Sequence, residues 1–236
     1  MTFGLLEPLY IKVTFIRIFI LINISMATLT DFIVNWGDVV ELDFPIWNFG
    51  AATNTLLKHP GWKVYQPHKP GYNRFGLSVT SLDGGYSGEP DLYSLREYHA
   101  LTGKSYWEGD FKRRTGIEAF IPELPPLLDF FEPNLGRCHF LRLNKGGFFP
   151  PHRDNGALVA VPTFRILVPI NNFGINDMKW IQDEKITRLE LGATYFINTS
   201  RLHSVFSFVD DCLMLVLNIV VDEHILNKMV KKIVAI

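Results

Sequence analysis

From Arg137 onward, the sequence consists of short runs of β-branched and aromatic residues separated by turn residues. These runs predict eight strands, at Cys138–Leu143, Ala157–Val161, Phe164–Ile170, Met178–Ile181, Ile186–Leu191, Ala193–Asn198, Ser204–Val209 and Leu213–Val221. Strands of this length and spacing are typical of two antiparallel sheets packed face to face. The pattern therefore predicts a mainly β fold, a jelly roll or double-stranded β-helix, with its core at about residues 137–221.

Helices are expected on either side of this core. A short helix is predicted over Ala51–His59, which ends at Pro60-Gly61, and another over Leu124–Phe131, which has prolines in its first turn. A terminal helix is predicted over Glu223–Ile236. The polar stretch Ser81–Lys112 has little periodicity and predicts a long loop, of the kind that forms lids or substrate-binding segments.

Composition sets limits on the class of protein. The 236 residues are 47% hydrophobic and carry a net charge of −1, so a large core is expected and no basic surplus points to nucleic acid. Cys138 and Cys212 are too few for a disulfide scaffold and have no C-x-x-C spacing. Two buried thiols and a cytoplasmic location are therefore expected.

Residues 1–25 differ in character from the rest of the chain. Their apolar run is interrupted by Lys12 and Arg17 and is shorter than a membrane span requires. The sequence that begins at Met26 is typical of the start of a soluble protein. Our hypothesis is that residues 1–25 are an upstream extension and that residues 26–236 form one domain; a membrane anchor and an N-terminal strand are the alternatives.

His152 and Asp154 are separated by one residue after a stiff Pro150-Pro151 entry. In extended chain, residues i and i+2 point to the same face, so these two side chains can converge. A histidine from a distant strand, such as His203, would complete a set of two imidazoles and one carboxylate. Such a set suits non-haem Fe(II) and leaves coordination positions free. The sequence thus predicts a metal centre formed by these three residues.

Two motifs resemble those of a known family. The stretch Leu141–Asp154, LRLNKGGFFPPHRD, resembles the first metal motif of the 2-oxoglutarate- and Fe(II)-dependent oxygenases, and most closely that of the aspartyl/asparaginyl β-hydroxylase and proline hydroxylase branch. Gly192–Asn198, followed by His203-Ser204-Val205, resembles the second motif.

The resemblance implies that His152, Asp154 and His203 hold Fe(II), with 2-oxoglutarate and O2 as co-substrates. It also implies hydroxylation of an amino-acid residue or a free amino acid, coupled to decarboxylation of 2-oxoglutarate to succinate.

One position departs from the family pattern. Related hydroxylases carry an arginine about ten residues after the second histidine, where this chain has Asp211–Met214 and no cation. Arg165, within an otherwise apolar predicted strand, is the best substitute for binding the far carboxylate of the keto acid. Arg142, which shares a strand face with Cys138 and Phe140, is a second candidate for entering the cavity.

Two other functions remain open. A cupin-like metalloenzyme that needs no keto acid would explain the missing arginine, and a jelly-roll binding module without activity would need no metal. The expected partner is a small-molecule or peptide substrate; neither nucleic acid nor a membrane is expected, and the sequence does not indicate an oligomeric state.

Overall fold

A computed structural model describes residues 31, 34–69, 71–154 and 162–232. Two sequence-based predictions lie outside these residues: the interpretation of residues 1–25 and the strand predicted at Ala157–Val161.

From residue 36 onward, the described residues form thirteen strands and four α-helices. The strands are β1 Val39–Leu42, β2 Lys63–Val64, β3 Arg74–Ser78, β4 Thr80–Ser81, β5 Arg113–Arg114, β6 His139–Leu143, β7 Phe148–His152, β8 Thr163–Asn171, β9 Met178–Gln182, β10 Lys185–Thr187, β11 Thr194–Ile197, β12 His203–Ser207 and β13 Cys212–Val220. The helices are α1 Gly50–Leu57, α2 Leu95–Thr102, α3 Leu124–Phe131 and α4 Glu223–Val230, and two 3-10 turns lie at Glu108–Asp110 and Ile117–Phe120.

The strands build two main antiparallel sheets. The large sheet has the order β1-β11-β8-β13-β6-β3-β2, and the small sheet has the order β10-β9-β12-β7. From β6 to β13 the chain passes repeatedly between the two sheets, which is the winding of a double-stranded β-helix. The predicted fold class is therefore confirmed.

Two apolar cores explain why β13 is hydrophobic on both faces. One face, with Leu213, Leu215 and Leu217, packs against the helices that cover the large sheet. The other face, with Met214 and Val216, packs inside the space between the two sheets. A strand buried on both faces is expected to have a nearly continuous apolar run, as Cys212–Val220 does except at Asn218.

The three predicted helices are present, and two of them end earlier than predicted. The first is α1, Gly50–Leu57, and the second is α3, Leu124–Phe131, as predicted. The terminal helix is described as Glu223–Val230, and it begins where Asp222 Oδ1 accepts a hydrogen bond from the Ile225 N–H at 2.8 Å.

The stretch Ser81–Lys112 is not wholly a loop, so this prediction is wrong in part. It contains α2, which begins after Ser94 and ends at Gly103 in the left-handed conformation. Because only Tyr98 of this helix is buried, its sequence lacks the apolar stripe that periodicity detects. The predicted strand Ile186–Leu191 is likewise shorter, ending at Thr187.

Gly192 offers a test of how tightly the large sheet is joined to the segment before α1. Its φ is +77°, and a Cβ there would lie 2.2 Å from the backbone oxygen of Trp47. We expect Gly192→Ala to lower the free energy of unfolding by about 3 kcal/mol, from left-handed strain and overlap together.

Gly103→Ala is the matched control, because Gly103 has φ +73° but no atom within 4 Å of the position that a Cβ would occupy. It should cost only the left-handed strain, about 1 kcal/mol. Urea unfolding of both variants checks the difference, and equal midpoints would show that the contact with Trp47 is not restrictive.

Candidate metal centre

Three side chains predicted to converge lie together at one end of the space between the sheets. His152 is the last residue of β7, and His203 is the first of β12, directly opposite it in the antiparallel pairing. Asp154 follows β7, where its backbone N–H donates to the Thr199 carbonyl at 2.7 Å. One potential ligand atom from each of His152, Asp154 and His203 lies within 4.8 Å of the others.

Backbone hydrogen bonds fix the orientation of both imidazoles. His152 Nδ1 lies 2.7 Å from the Pro150 carbonyl oxygen, and His203 Nδ1 lies 3.0 Å from that of Arg201. Because a carbonyl can only accept, the neutral form of each imidazole carries its proton on Nδ1 and its lone pair on Nε2. The Nε2 atoms lie 3.7 Å and 3.9 Å from the Asp154 carboxylate oxygens. Metal-binding histidines are commonly held in this way.

The charge states of His203 and Asp154 also suit a cation. Burial, together with the neighbouring His152, lowers the pKa of His203 to about 4, so its imidazole is neutral at neutral pH. Burial alone would raise the pKa of Asp154, but the neighbouring positive charge, that of Arg165 above all, outweighs it and holds that pKa below its usual value. The site therefore offers one carboxylate and a neutral imidazole without loss of a proton.

Asp154 Oδ2 is a buried acceptor that lacks a directed hydrogen bond. Arg165 Nη1 lies 2.9 Å away, yet among the described residues no donor points a hydrogen at this oxygen. Buried polar atoms usually have a partner, and one without a partner calls for an explanation. The orphaned oxygen, the two free Nε2 lone pairs and the donor chemistry together fit a divalent metal ion.

Two cavities meet at these residues. The outer cavity, of about 630 Å³, opens on the side of His152 and Asp154. The inner cavity, of about 30 Å³, lies behind His203 between the sheets. The inner cavity is lined mainly by apolar side chains, which include Leu141, Leu167, Trp180, Val205, Met214 and Val216.

Arg165 lines both cavities and belongs to a polar network. Its Nε donates to Asn218 Oδ1 at 3.0 Å, on the neighbouring strand β13. Asn218 Nδ2 in turn donates to Glu108 at 3.0 Å, and Glu108 forms a two-point ion pair with the buried Arg137. The network connects the Asp154 carboxylate to the 3-10 turn at Glu108–Asp110.

Arg142 does not reach either cavity, which corrects the expectation for this residue. It lies on the outer face of the large sheet, where its guanidinium pairs with Asp211 and donates weakly to the Leu57 carbonyl of α1. The alternation of side chains along a strand correctly placed Arg142 on the same face as Cys138 and Phe140. That face, however, packs against the helices and does not border the space between the two sheets. The inward residue after the second histidine is Met214, which is apolar.

The sequence did not single out Asn218, Glu108, Arg137 or Arg74. Asn218 had a usable signal, because an amide within the apolar run Cys212–Val220 must find partners when buried. Glu108 and Arg137 had none, since they are separated by 29 positions and meet only in the folded chain.

Trp180 stacks nearly parallel on His203, with ring centroids 5.9 Å apart, and lines the inner cavity.

The comparisons with known proteins concern the fold. No protein-family model matches the sequence, and no curated protein is significantly similar to it. Among solved structures, it is similar to a 2OG-Fe(II) oxygenase family oxidoreductase from Burkholderia pseudomallei, with 12% identity, coverage of 84% of this chain and 91% of that chain, and a TM-score of 0.42.

Two further solved structures are similar over part of the chain. A predicted oxalate decarboxylase from Thermotoga maritima has 16% identity, covers 37% of this chain and 69% of its own, and has a TM-score of 0.29. An RmlC-like cupin from Desulfovibrio desulfuricans has 17% identity, with coverage of 36% and 72% and a TM-score of 0.28. These likenesses are too distant to carry an argument about activity; the double-stranded β-helix is assigned from this chain's own strand order.

Among the helices of the described residues, none has the length and apolar character of a membrane span.

Metal binding by the three residues can be tested directly. We expect wild-type protein to bind one Co(II) or Zn(II) per chain, and His152→Ala or His203→Ala to weaken binding at least about 100-fold, because either change removes one of three ligands. Isothermal titration calorimetry measures both values. His224→Ala, in an exposed position of α4, is the control and should bind as wild type; unaltered binding by the first two variants would exclude this site.

The neutral state of His203 predicts a pH dependence of the metal-free protein. Unfolded His203 takes up a proton near pH 6.5, whereas the folded form does so only near pH 4, so stability falls as the pH drops through this window. Between pH 7 and pH 5 this contribution amounts to about 2 kcal/mol.

Denaturant unfolding of wild-type and His203→Gln protein across this range checks the contribution. The variant should lose about 2 kcal/mol of the pH-dependent change but keep the part due to His139, whose pKa burial also lowers. The same pH profile for both proteins would show that His203 is not protected from protonation.

Proposed function

We propose that this protein is an Fe(II)- and 2-oxoglutarate-dependent dioxygenase that hydroxylates an amino-acid residue or a free amino acid. The observation that carries the proposal is the set formed by His152, Asp154 and His203, whose ligand atoms lie within 4.8 Å of one another beside an open cavity. Two imidazoles and one carboxylate on one side of a metal leave positions free for further ligands.

Each member of the set has a defined task. His152 and His203 present Nε2 lone pairs, because their Nδ1–H groups are held by backbone carbonyls. Asp154 supplies the negative charge, and its backbone N–H fixes it to the Thr199 carbonyl. The chemistry that bound Fe(II) would supply is the coupling of keto-acid decarboxylation to oxidation of a substrate C–H bond by O2.

Arg165 is our candidate for binding a carboxylate of the keto acid. It lies beside Asp154, faces both cavities and is about one-quarter exposed, and Asn218 fixes its Nε. A guanidinium held by one edge keeps N–H groups on the other edge for a carboxylate. Trp180 and Phe149 border the inner cavity and would limit the access of water to this region.

The substrate class rests on the resemblance of the two motifs. The outer cavity, of about 630 Å³, has the volume to accept an amino acid or a side chain of a peptide. It adjoins His152 and Asp154, so a substrate within it would lie next to the metal.

A metalloenzyme that uses no keto acid is the second candidate, and one observation favours it. The inner cavity has the apolar Met214 where related hydroxylases carry an arginine, and its volume is only about 30 Å³. Among the described residues that line that cavity, Arg165 at its edge is the only arginine or lysine for the far carboxylate of 2-oxoglutarate.

Anaerobic Fe(II) titration with and without 2-oxoglutarate separates the two candidates. Wild-type protein should develop the weak visible metal-to-ligand charge-transfer band of a keto acid bound to Fe(II), and His203→Ala should not. Arg165→Gln should raise the 2-oxoglutarate concentration at half-saturation at least about tenfold, because one charged hydrogen-bond partner is lost.

Arg142→Gln is the matched control, because Arg142 is a partly buried arginine of the same sheet that reaches neither cavity. It should titrate as wild type. Iron binding without the band would favour the enzyme that needs no keto acid, and absence of iron binding would leave only a binding module.

A further inference from the structure

The wall of the outer cavity carries a surplus of positive charge. Its cationic residues are Lys69, Arg74, Arg96, Arg137, Arg153 and Arg165, and its carboxylates are Glu97, Glu108 and Asp154. Each carboxylate already lies against a cation of the same wall, in the pairs Glu97–Lys69, Glu108–Arg137 and Asp154–Arg165. Because the whole chain has a net charge of −1, the surplus is a local property of this cavity.

Arg74 is the unusual member of this wall because it is buried without a carboxylate partner among the described residues, whereas the buried Arg137 is paired with Glu108. Only 2% of the residue is exposed, and among the described residues no carboxylate lies within 4.0 Å of its guanidinium. Its Nη atoms donate to two neutral acceptors, the Phe148 carbonyl at 3.2 Å and Gln66 Oε1 at 2.6 Å. Its Nε is buried and has no acceptor among these residues. A buried charge is normally paired, so Arg74 lacks an anion.

Aromatic rings surround this guanidinium. Its Cζ lies 4.2 Å from the ring centroid of Phe149, 4.6 Å from that of Tyr72 and 5.4 Å from that of Tyr65. Cation–π contacts of this kind stabilise a cation but leave its N–H groups without acceptors. They also give the neighbouring cavity wall an apolar surface against which the body of a ligand can pack.

This aromatic surface continues to the candidate metal centre. Phe149 stacks on His152, with ring centroids 6.3 Å apart and planes 22° from parallel. Phe149 and His152 also line the same outer cavity as Arg74. A molecule anchored at Arg74 would therefore extend along Phe149 toward His152.

We propose that Arg74 binds the carboxylate of an acidic substrate whose apolar or aromatic body packs on Tyr65, Tyr72 and Phe149. This inference rests on the proposed function, because a bound molecule is a substrate only if the protein is an enzyme. It adds the class of substrate to that function. A single carboxylate matches the one buried arginine of the described cavity wall that has no anionic partner, and its two oxygens can accept from Nε and a neighbouring N–H. Substrates that are cationic at this end are excluded by the same surplus charge.

The test uses benzoate as the probe, with benzamide as its uncharged equivalent of the same shape. Calorimetric titration of the metal-free protein in low-chloride buffer should show benzoate binding at least tenfold more tightly than benzamide. Arg74→Gln should lower benzoate affinity at least tenfold and benzamide affinity less than twofold. Arg96→Gln, which removes an exposed arginine of the same wall, should change either affinity less than threefold.

Arg74→Lys provides a second variant in case Arg74→Gln does not fold, since it keeps the charge but loses the planar fork. It should retain the preference for benzoate over benzamide while binding benzoate several-fold more weakly than wild type. Equal binding of benzoate and benzamide by wild type, or undiminished benzoate binding by folded Arg74→Gln, would overturn the proposal.

A final titration distinguishes the substrate from the keto acid as the source of the carboxylate. In Zn(II)-loaded protein, benzoate and 2-oxoglutarate should bind together, since Arg74 and Arg165 are separate sites on the cavity wall. Mutual exclusion would assign Arg74 to the keto acid and overturn its role in substrate binding. The benzoate titrations need no metal, so they can succeed or fail independently of the proposed dioxygenase activity.

Discussion

The pairing of β12 with β7 is the interaction on which the candidate centre depends. It places His203 directly opposite His152, with ring centroids 4.2 Å apart, although the two residues are far apart in the sequence. A shift of the pairing by one residue would turn one imidazole to the opposite face of the small sheet. β9 pairs with the other edge of β12 and aligns Gln182 with His203, so the register is fixed from both sides.

The N-terminal half of the chain contributes side chains to the outer cavity beside the metal set. Glu108 lies in the segment before β5, yet it contacts Asn218 and Arg137 beneath the outer cavity. Arg74 lies in β3, which is separated from β8 in the large sheet by the strands β13 and β6. The metal set therefore belongs to the double-stranded β-helix, whereas three of the six cationic residues that line the outer cavity, Lys69, Arg74 and Arg96, come from the part of the chain before it.

Sequence patterns predicted the β core well because their signal is local. Short β-branched and aromatic runs between turn residues located β6, β8, β9, β11 and β13, and the spacing of His152 and Asp154 placed both on one face. Parity tells which residues share a face but not which face borders the cavity, and for this reason Arg142 was misplaced. Helix α2 was missed because it buries only Tyr98.

The sequence could not predict the contacts between residues that are far apart in the chain. Arg165 was predicted from its apolar neighbours in the sequence. Its contacts with Asn218 and Asp154, however, depend on the pairing of β8 with β13 and on the position of the segment after β7. Arg74 carried no signal at all, since its isolation from carboxylates is a property of the folded chain. Long-range contacts of this kind have no periodicity to detect.

The fixed tautomers of His152 and His203 have a consequence for metal selectivity. Because both Nδ1–H groups are already held by backbone carbonyls, the three ligand atoms are arranged before any ion arrives. A prearranged set of two imidazoles and a carboxylate follows the general order of affinities, in which Cu(II) and Zn(II) bind more tightly than Fe(II). Metal found in purified protein would then reflect supply during expression, so the ion must be stripped and replaced before activity is judged.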